Sequence, residues 1–244
     1  MRSIGENLQA TKVRIARAAQ ACGRDPAAVM LLAVSKTHPA ALLEQAHAAG
    51  QRAFGENYVQ EALAKMDALA GKGLEWHLIG PLQSNKTRLV AARFDWVHAI
   101  ESERIARRLS EQRPAALAPL QVLVQVNVSG EASKSGVAPD AAPALAHAVA
   151  ALPRLRLRGL MAIPEPTPDS ALQRARFRML RGLLERLRRE GLELDTLSMG
   201  MSDDLEAAIA EGATIVRVGT AIFGQRQGTA DERGPRPMKE RDAA

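Results

Sequence analysis

Residues 30–55, MLLAVSKTHPAALLEQAHAAGQRAFG, carry one complete repeat of the pattern on which the architecture turns. An apolar run (30–35) leads into Lys36, a helical pattern follows (40–49), and a second short apolar run begins at Arg52. A short apolar run, an amphipathic helix and another short run together make the unit of a parallel sheet. The unit recurs along the whole chain. Apolar runs occur at 30–35, 52–55, 76–79, 96–100, 120–128, 157–163, 196–199 and 215–223. Helical patterns separate them at 40–49, 59–69, 84–92, 102–112, 141–151, 171–190 and 203–211, and a terminal one completes the alternation. Eight units of roughly 24 residues match an α/β (β/α)8 TIM barrel, which typically takes about 250 residues. A doubly wound open sheet is the competing reading. It would use fewer strands and a Gly-rich first turn, and no G-x-G-x-x-G opens a helix here.

Before the first run, Ile4, Leu8, Ile15 and Cys22 mark one stripe of an amphipathic helix, with Glu6, Lys12, Arg14 and Arg17 off it. This helix is additional to the barrel, and Gly23 is placed to end it. The expected organisation is one domain over 1–224, followed by a polar tail (225–244) without apolar periodicity that is expected to be disordered.

Composition narrows the function classes. The 244 residues include one Cys, which excludes a disulfide framework and suits a reducing, cytoplasmic setting. No apolar run approaches the ~18 residues of a membrane span. The formal charge of +6 invites a nucleic-acid reading, but 3% aromatics are too few for base-stacking platforms. The densest basic stretch, 174–189, reads as a helix with Phe177, Leu180, Leu184 and Leu187 inward and arginines in solvent. Only seven of the 33 basic residues are lysines (12, 36, 65, 72, 86, 134, 239). Where Arg is the default cation, a Lys in an apolar setting suggests an amine that must lose its proton.

In a barrel, chemistry gathers at the C-terminal strand ends. Lys36 follows a wholly apolar run, where desolvation lowers an amine's pKa and frees it to attack carbonyls. The bland alternative is a Lys reaching out of the mouth or paired with Glu56. Alternation in IVRVG puts Ile215, Arg217 and Gly219 on one face, and the outer face must be apolar, so Arg217 points inward. Its partner is either a carboxylate such as Glu56 or a ligand atom. The seventh and eighth ends, Ser198 to Ser202 and Gly219-Thr220, combine Gly, hydroxyls and a helix start near Asp203, a frequent phosphate site in barrels. Asn57, His77, Gln83, Ser84, Asn85 and Asn127 are candidates for supporting hydrogen bonds, His77 also for a general base. No His pair at i, i+4 suggests a metal, and no nucleophile elbow suggests a Ser triad. An amine at the first strand end and a phosphate cradle at the last two suggest a phosphorylated carbonyl compound.

Seven segments closely resemble the pyridoxal phosphate homeostasis protein family, the one-domain relative of the alanine racemase barrel. They are AVSKTHP (33–39), FGENYVQE (54–61), WHLIGPLQSNKTR (76–88), QVNVSGEASKSG (125–136), LRGLMAIPEP (157–166), LSMGMSDDLEAAI (197–209) and VRVGTAIFG (216–224). The resemblance implies that Lys36 forms an internal aldimine with pyridoxal 5′-phosphate (PLP) and that Arg217 faces the pyridine nitrogen. It places the phosphate at Ser202, Gly219 and Thr220 with backbone around Met199, Gly200 and Met201, and Asn57 beside the cofactor. Lys134 is a second amine near the mouth that the resemblance connects with PLP exchange. His38 stands where family members often carry Lys.

An Arg opposite the pyridine nitrogen disfavours its protonation and so weakens the electron sink that PLP enzymes use. The resemblance also implies that racemases take their second base, a Tyr, from an extra domain, and the chain runs about 20 residues past its eighth apolar run, short for another domain. The expectation is therefore a monomeric, cytoplasmic carrier that buffers PLP and delivers it to PLP-dependent apoenzymes. The main alternative is a PLP-dependent racemase of restricted scope, with Lys36 as one base and Tyr58 or His77 as the other. A class I aldolase with Lys36 binding substrate directly is a third reading. Neither a membrane nor a nucleic-acid partner is expected.

Overall fold

The computed structural model describes residues 3–130 and 135–225. Eight parallel strands close into a barrel in chain order, β1 pairing with both β2 and β8. The strands are β1 (Met30–Val34), β2 (Ala53–Glu56), β3 (Glu75–Leu78), β4 (Trp96–Ile100), β5 (Leu120–Gln125), β6 (Leu155–Met161), β7 (Thr196–Ser198) and β8 (Ile215–Val218). The helices are α1 (Ile4–Ala21), α2 (Ala40–Ala48), α3 (Val59–Ala68), α4 (Thr87–Arg93), α5 (Glu103–Gln112), α6 (Ala142–Ala150), α7 (Ser170–Arg189), α8 (Leu205–Ala210) and α9 (Thr220–Phe223). All eight expected strands and the N-terminal helix are present. Lys134 and the tail beyond Gln225 lie outside the described residues.

Local chemistry explains the helix ends. Ser3 and Glu6 form a reciprocal capping box at the start of α1, and Gly23 follows its end at φ +71°. Asp169 accepts the Ala171 and Leu172 N–H groups to start α7, whose Phe177, Leu180, Leu184 and Leu187 are buried as their spacing predicts.

Two expectations need correction. The run 215–223 is not one strand. It leaves the sheet at Val218, and Gly219 (φ −117°, ψ −75°) turns it into α9. A short apolar run reads alike as strand or buried helical turn. The helix expected from Asp203 begins at Leu205 instead, because the Asp204 carboxylate accepts the Met201 N–H and closes a turn first.

The sheet has two apolar faces of unequal size. Its outer face and the helices form the main core, with Phe54, Leu78, Val97, Leu160 and Val216 buried in it. The inner face holds a small layer of Leu32, Ala53, Ile79 and Ile215 and a second of Trp96, Ala99, Leu123 and Met161. Polar residues share the barrel interior with these layers, His77, His98, Ser198 and Arg217 all being buried there.

Candidate functional site

The alternation along β1 that sends Leu32 and Val34 into the barrel brings Lys36 to the same side at the mouth. Ser35 faces the other way, and its hydroxyl donates to Glu56 Oε1 at 2.6 Å. A buried ion cluster grips the backbone on both sides of Lys36. The Lys65 ammonium on α3 donates to the Ser35 carbonyl (2.7 Å), Glu56 Oε1 (2.7 Å) and Glu61 Oε1 (2.6 Å). Glu61 Oε1 also accepts the Thr37 N–H at 2.6 Å. Thr37 sits at φ +66°, a costly conformation for a β-branched residue. Burial pushes the Glu56 carboxyl up, and Lys65 pulls it back.

Glu56 is thus not an inward residue and not the partner of Arg217 expected from sequence. It follows Phe54 onto the outer face of β2, while Ala53 and Gly55 face in. Arg217 does point inward, at 3% exposure. Its Nη1 donates to Ser198 Oγ (2.7 Å) and its Nη2 to the Ala162 carbonyl (2.8 Å). Desolvation pushes its pKa down to about 10, against the pull of Asp204, so it remains a cation at neutral pH.

Lys36 and Arg217 share a cavity of about 540 Å³ at the C-terminal mouth, a size typical of small-molecule sites. Ser202, Gly219 and Thr220 line one end of it, and Met201 and Asp203 complete that end. Val34, Ile79 and Ile163 supply apolar wall. Asn57 also lines the cavity, and its Oδ1 is buried without a hydrogen-bond partner. Gly219 allows the close packing at this end, since a Cβ there would lie 3.0 Å from the Val34 carbonyl oxygen.

The structure therefore brings together Lys36, Asn57, Met201, Ser202, Arg217, Gly219 and Thr220. Met199 and Gly200 lie behind that wall and do not line it. The Met199 side chain is buried in the outer core, and a Cβ on Gly200 (φ +92°) would lie 2.5 Å from Ala208 Cβ. His77 is not at the mouth either. It sits fully buried inside the barrel, bonded to His98 and Glu75. Asn127 Oδ1 accepts the Ser129 and Gly130 N–H groups and shapes its own loop. Gln83 and Asn85 are exposed on the stretch leading into α4.

Sequence reasoning did not place Val34, Ile79, His38 and Asp203 in the wall. The first two were detectable, since Val34 shares the face of Lys36, and Ile79 that of His77. His38 was not, because its place depends on its ring packing against Phe223, centroids 5.1 Å apart, far along the chain.

The cavity fits PLP. One amine, one arginine and two hydroxyls line the same cavity, together with a buried amide oxygen that lacks a partner. Among the described residues no cluster of three or more His, Cys, Asp or Glu could hold a metal ion. No described helix is long and apolar enough to cross a membrane.

Comparison with known proteins agrees with this geometry. Residues 7–227 match the family described as alanine racemase, N-terminal domain. A Pseudomonas aeruginosa protein named pyridoxal phosphate homeostasis protein is 66% identical over 226 residues, covering 93% of this chain and 97% of the relative. The structure of PipY from Synechococcus elongatus with PLP bound superposes with a TM-score of 0.80 at 38% identity, covering 91% of this chain and 100% of that one. An alanine racemase from Corynebacterium glutamicum shares the fold at 20% identity, with a TM-score of 0.68 over 95% of this chain and 63% of its own.

Proposed function

This chain belongs to the pyridoxal phosphate homeostasis protein family, built on the alanine racemase N-terminal domain, and we propose that it is a carrier of PLP. It binds PLP and acts in the homeostasis of that cofactor, as its relatives' names and the PLP-bound PipY structure indicate. The observation that carries the site assignment is the convergence of Lys36, Arg217 and the Ser202 and Thr220 hydroxyls on one cavity.

Bound PLP supplies an aldehyde that captures an amine reversibly. Lys36 Nζ is the amine offered to it, at the mouth end of β1. Arg217, a pure hydrogen-bond donor on the cavity wall, would face the ring nitrogen and oppose its protonation. Ser202, Thr220 and the Gly219 peptide would hold the phosphate, with the 199–201 backbone turn behind them and Met201 on the wall. Asn57, with its buried Oδ1 unpaired in the cavity wall, would lie beside the bound molecule.

Carriage is better supported than racemisation. The two candidates for a second base, Tyr58 and His77, are not among the described residues that line the cavity. We assign the protein to the cytoplasm as a monomer that passes PLP to apoenzymes.

The test is the visible absorption of the purified protein with PLP, followed by borohydride reduction and peptide mass mapping. Wild type should be yellow and carry one adduct, on Lys36, while Lys36→Ala should lose both colour and adduct. A colourless wild type after soaking with PLP overturns the assignment. Sustained solvent-deuterium exchange at the α-carbon of an amino acid, over many turnovers, overturns the carrier reading.

A further inference from the structure

Arg217 lies at one end of a hydrogen-bond chain that crosses the barrel interior to its opposite face. Ser198 Oγ, which accepts from Arg217, is 2.9 Å from His98 Nδ1. His98 Nε2 is 2.9 Å from His77 Nδ1, and His77 Nε2 is 2.6 Å from Glu75 Oε1. Ser198, His98 and His77 are fully buried, whereas the Glu75 side chain is 45% exposed. Glu75 lines a hollow of about 430 Å³ together with Trp96, Asp95 and Gln121. The chain therefore joins solvent on the barrel floor to the guanidinium under the mouth cavity.

Its protons have one consistent order. With the Glu75 carboxylate accepting from His77 Nε2 and one proton on each imidazole, His77 Nδ1 and His98 Nδ1 are both acceptors, so the Ser198 hydroxyl donates to His98 Nδ1 while its oxygen accepts from Arg217. His98 then carries its proton on Nε2 and donates to His77 Nδ1. His77 in turn carries its proton on Nε2 and donates to Glu75. This order places one proton on each imidazole, with a cation at one end of the chain and a carboxylate at the other. Burial above all, with the Arg217 charge adding to it, holds His98 well below the usual histidine range. The hydrogen bond from His77 lowers Glu75, and Arg158 adds to this. A proton added to His77 at Nδ1 would reverse the order. His98 would have to accept at Nε2 and move its proton to Nδ1, and the Ser198 oxygen would face two donors.

We propose that Glu75, His77, His98 and Ser198 are positioning residues for Arg217, a directed chain that fixes the guanidinium against the ring nitrogen of PLP and makes it respond to protonation at the barrel floor. This rests on the PLP assignment above. The other charged groups facing the chain have partners of their own. Arg158 lies 5.0 Å over the Trp96 ring and is held by Asp195. Asp95 accepts the Trp76 N–H. Arg113 donates to the Ala91, Phe94 and Ala118 carbonyls. Asp204 acts on Arg217 from the mouth side.

Two measurements test it. Nitrogen-15 NMR of the histidine-labelled, PLP-free protein should show His77 and His98 both protonated on Nε2 at neutral pH. His98 protonated on Nδ1 overturns the chain without reference to the cofactor. In the PLP-loaded protein, the absorption band should titrate between about pH 5 and about pH 10. Its midpoint should move by about half a unit or more in Glu75→Gln and His77→Gln, and stay put in the surface control Glu44→Gln. Trapping at Lys36 should persist in all three. A wild-type band that does not titrate, or a Glu75→Gln profile that superimposes on wild type, overturns the proposal while leaving PLP binding intact. Loss of trapping in wild type removes both.

Discussion

Lys65 shows what a single residue can do for a neighbouring site without touching the cavity. Its ammonium has three hydrogens, and three acceptors from different elements take them. Arg, a planar fork, could not satisfy that tripod. The scarcity of lysine in this chain therefore has two sources: one lysine lines the cavity, and another fills a site only an ammonium fits. Scarcity singled out Lys36 but could not separate the two cases. The acceptors for Lys65 are assembled by β1, β2 and α3, and no spacing in the sequence reveals that. For the same reason Glu56 looked like a partner for Arg217, because its outward direction depends on where β2 begins. Lys65→Met should leave Glu56 buried and short of its main counter-charge. We expect a loss of about 3–5 kcal/mol in urea unfolding, and Lys65→Arg should not restore it. A loss under about 1 kcal/mol would show that the cluster does not hold the backbone around Lys36.

At the scale of elements, existence and order were legible and register was not. Each strand is announced by its own apolar run, and the helix after it by a 3.6-residue stripe. Register depends on contacts between strands far apart in sequence. The pairing of β5 with β6 shifts between Val122 and Leu123, so that Val122 meets Leu157 but Leu123 meets Gly159. Arg158 occupies the extra place. From there its guanidinium reaches Gln121, Asp195 and the Trp96 ring. Gly159 makes the shift possible. Its φ is +155°, and a Cβ would lie 1.9 Å from the Thr196 carbonyl oxygen on β7. Gly159→Ala should therefore force β6 and β7 apart and cost about 2–4 kcal/mol. Thermal melts should show the loss, and an unchanged melting temperature would mean that the bulge relaxes freely.

The whole molecule closes on itself at the seam where β8 meets β1, and α1 covers that seam. Asn7 Nδ2 donates to the Ile222 carbonyl on α9, Arg24 to the Ile209 carbonyl on α8, and Arg14 forms a two-bond pair with Glu206. The last βα units, which carry Ser202 and Thr220, are thus held by the first helix. Charge holds the adjoining helix as well. Arg174, Arg178 and Arg181 on α7 converge on Glu211, just past α8, whose side chain is only 1% exposed. Burial opposes ionisation of Glu211, but the hydrogen bonds from Arg174 and Arg178 prevail and its pKa is lowered from the ordinary 4.5. Arg14 lowers Glu206 in the same way. A carboxyl lowered on folding adds stability that is present above its unfolded value and is lost as pH falls through its folded value. Glu56, raised by burial, has the opposite sign and is relieved by acid. Wild type should therefore lose melting temperature as pH drops below about 4.5, with Glu211 a main contributor. Glu211→Gln should be less stable at neutral pH by on the order of 1–2 kcal/mol, since its arginine partners are half exposed and screened. Its acid limb should also be flatter, the two curves converging at low pH where wild-type Glu211 has taken up its proton. Parallel acid limbs for the two proteins would place the acid sensitivity elsewhere than this arginine cluster.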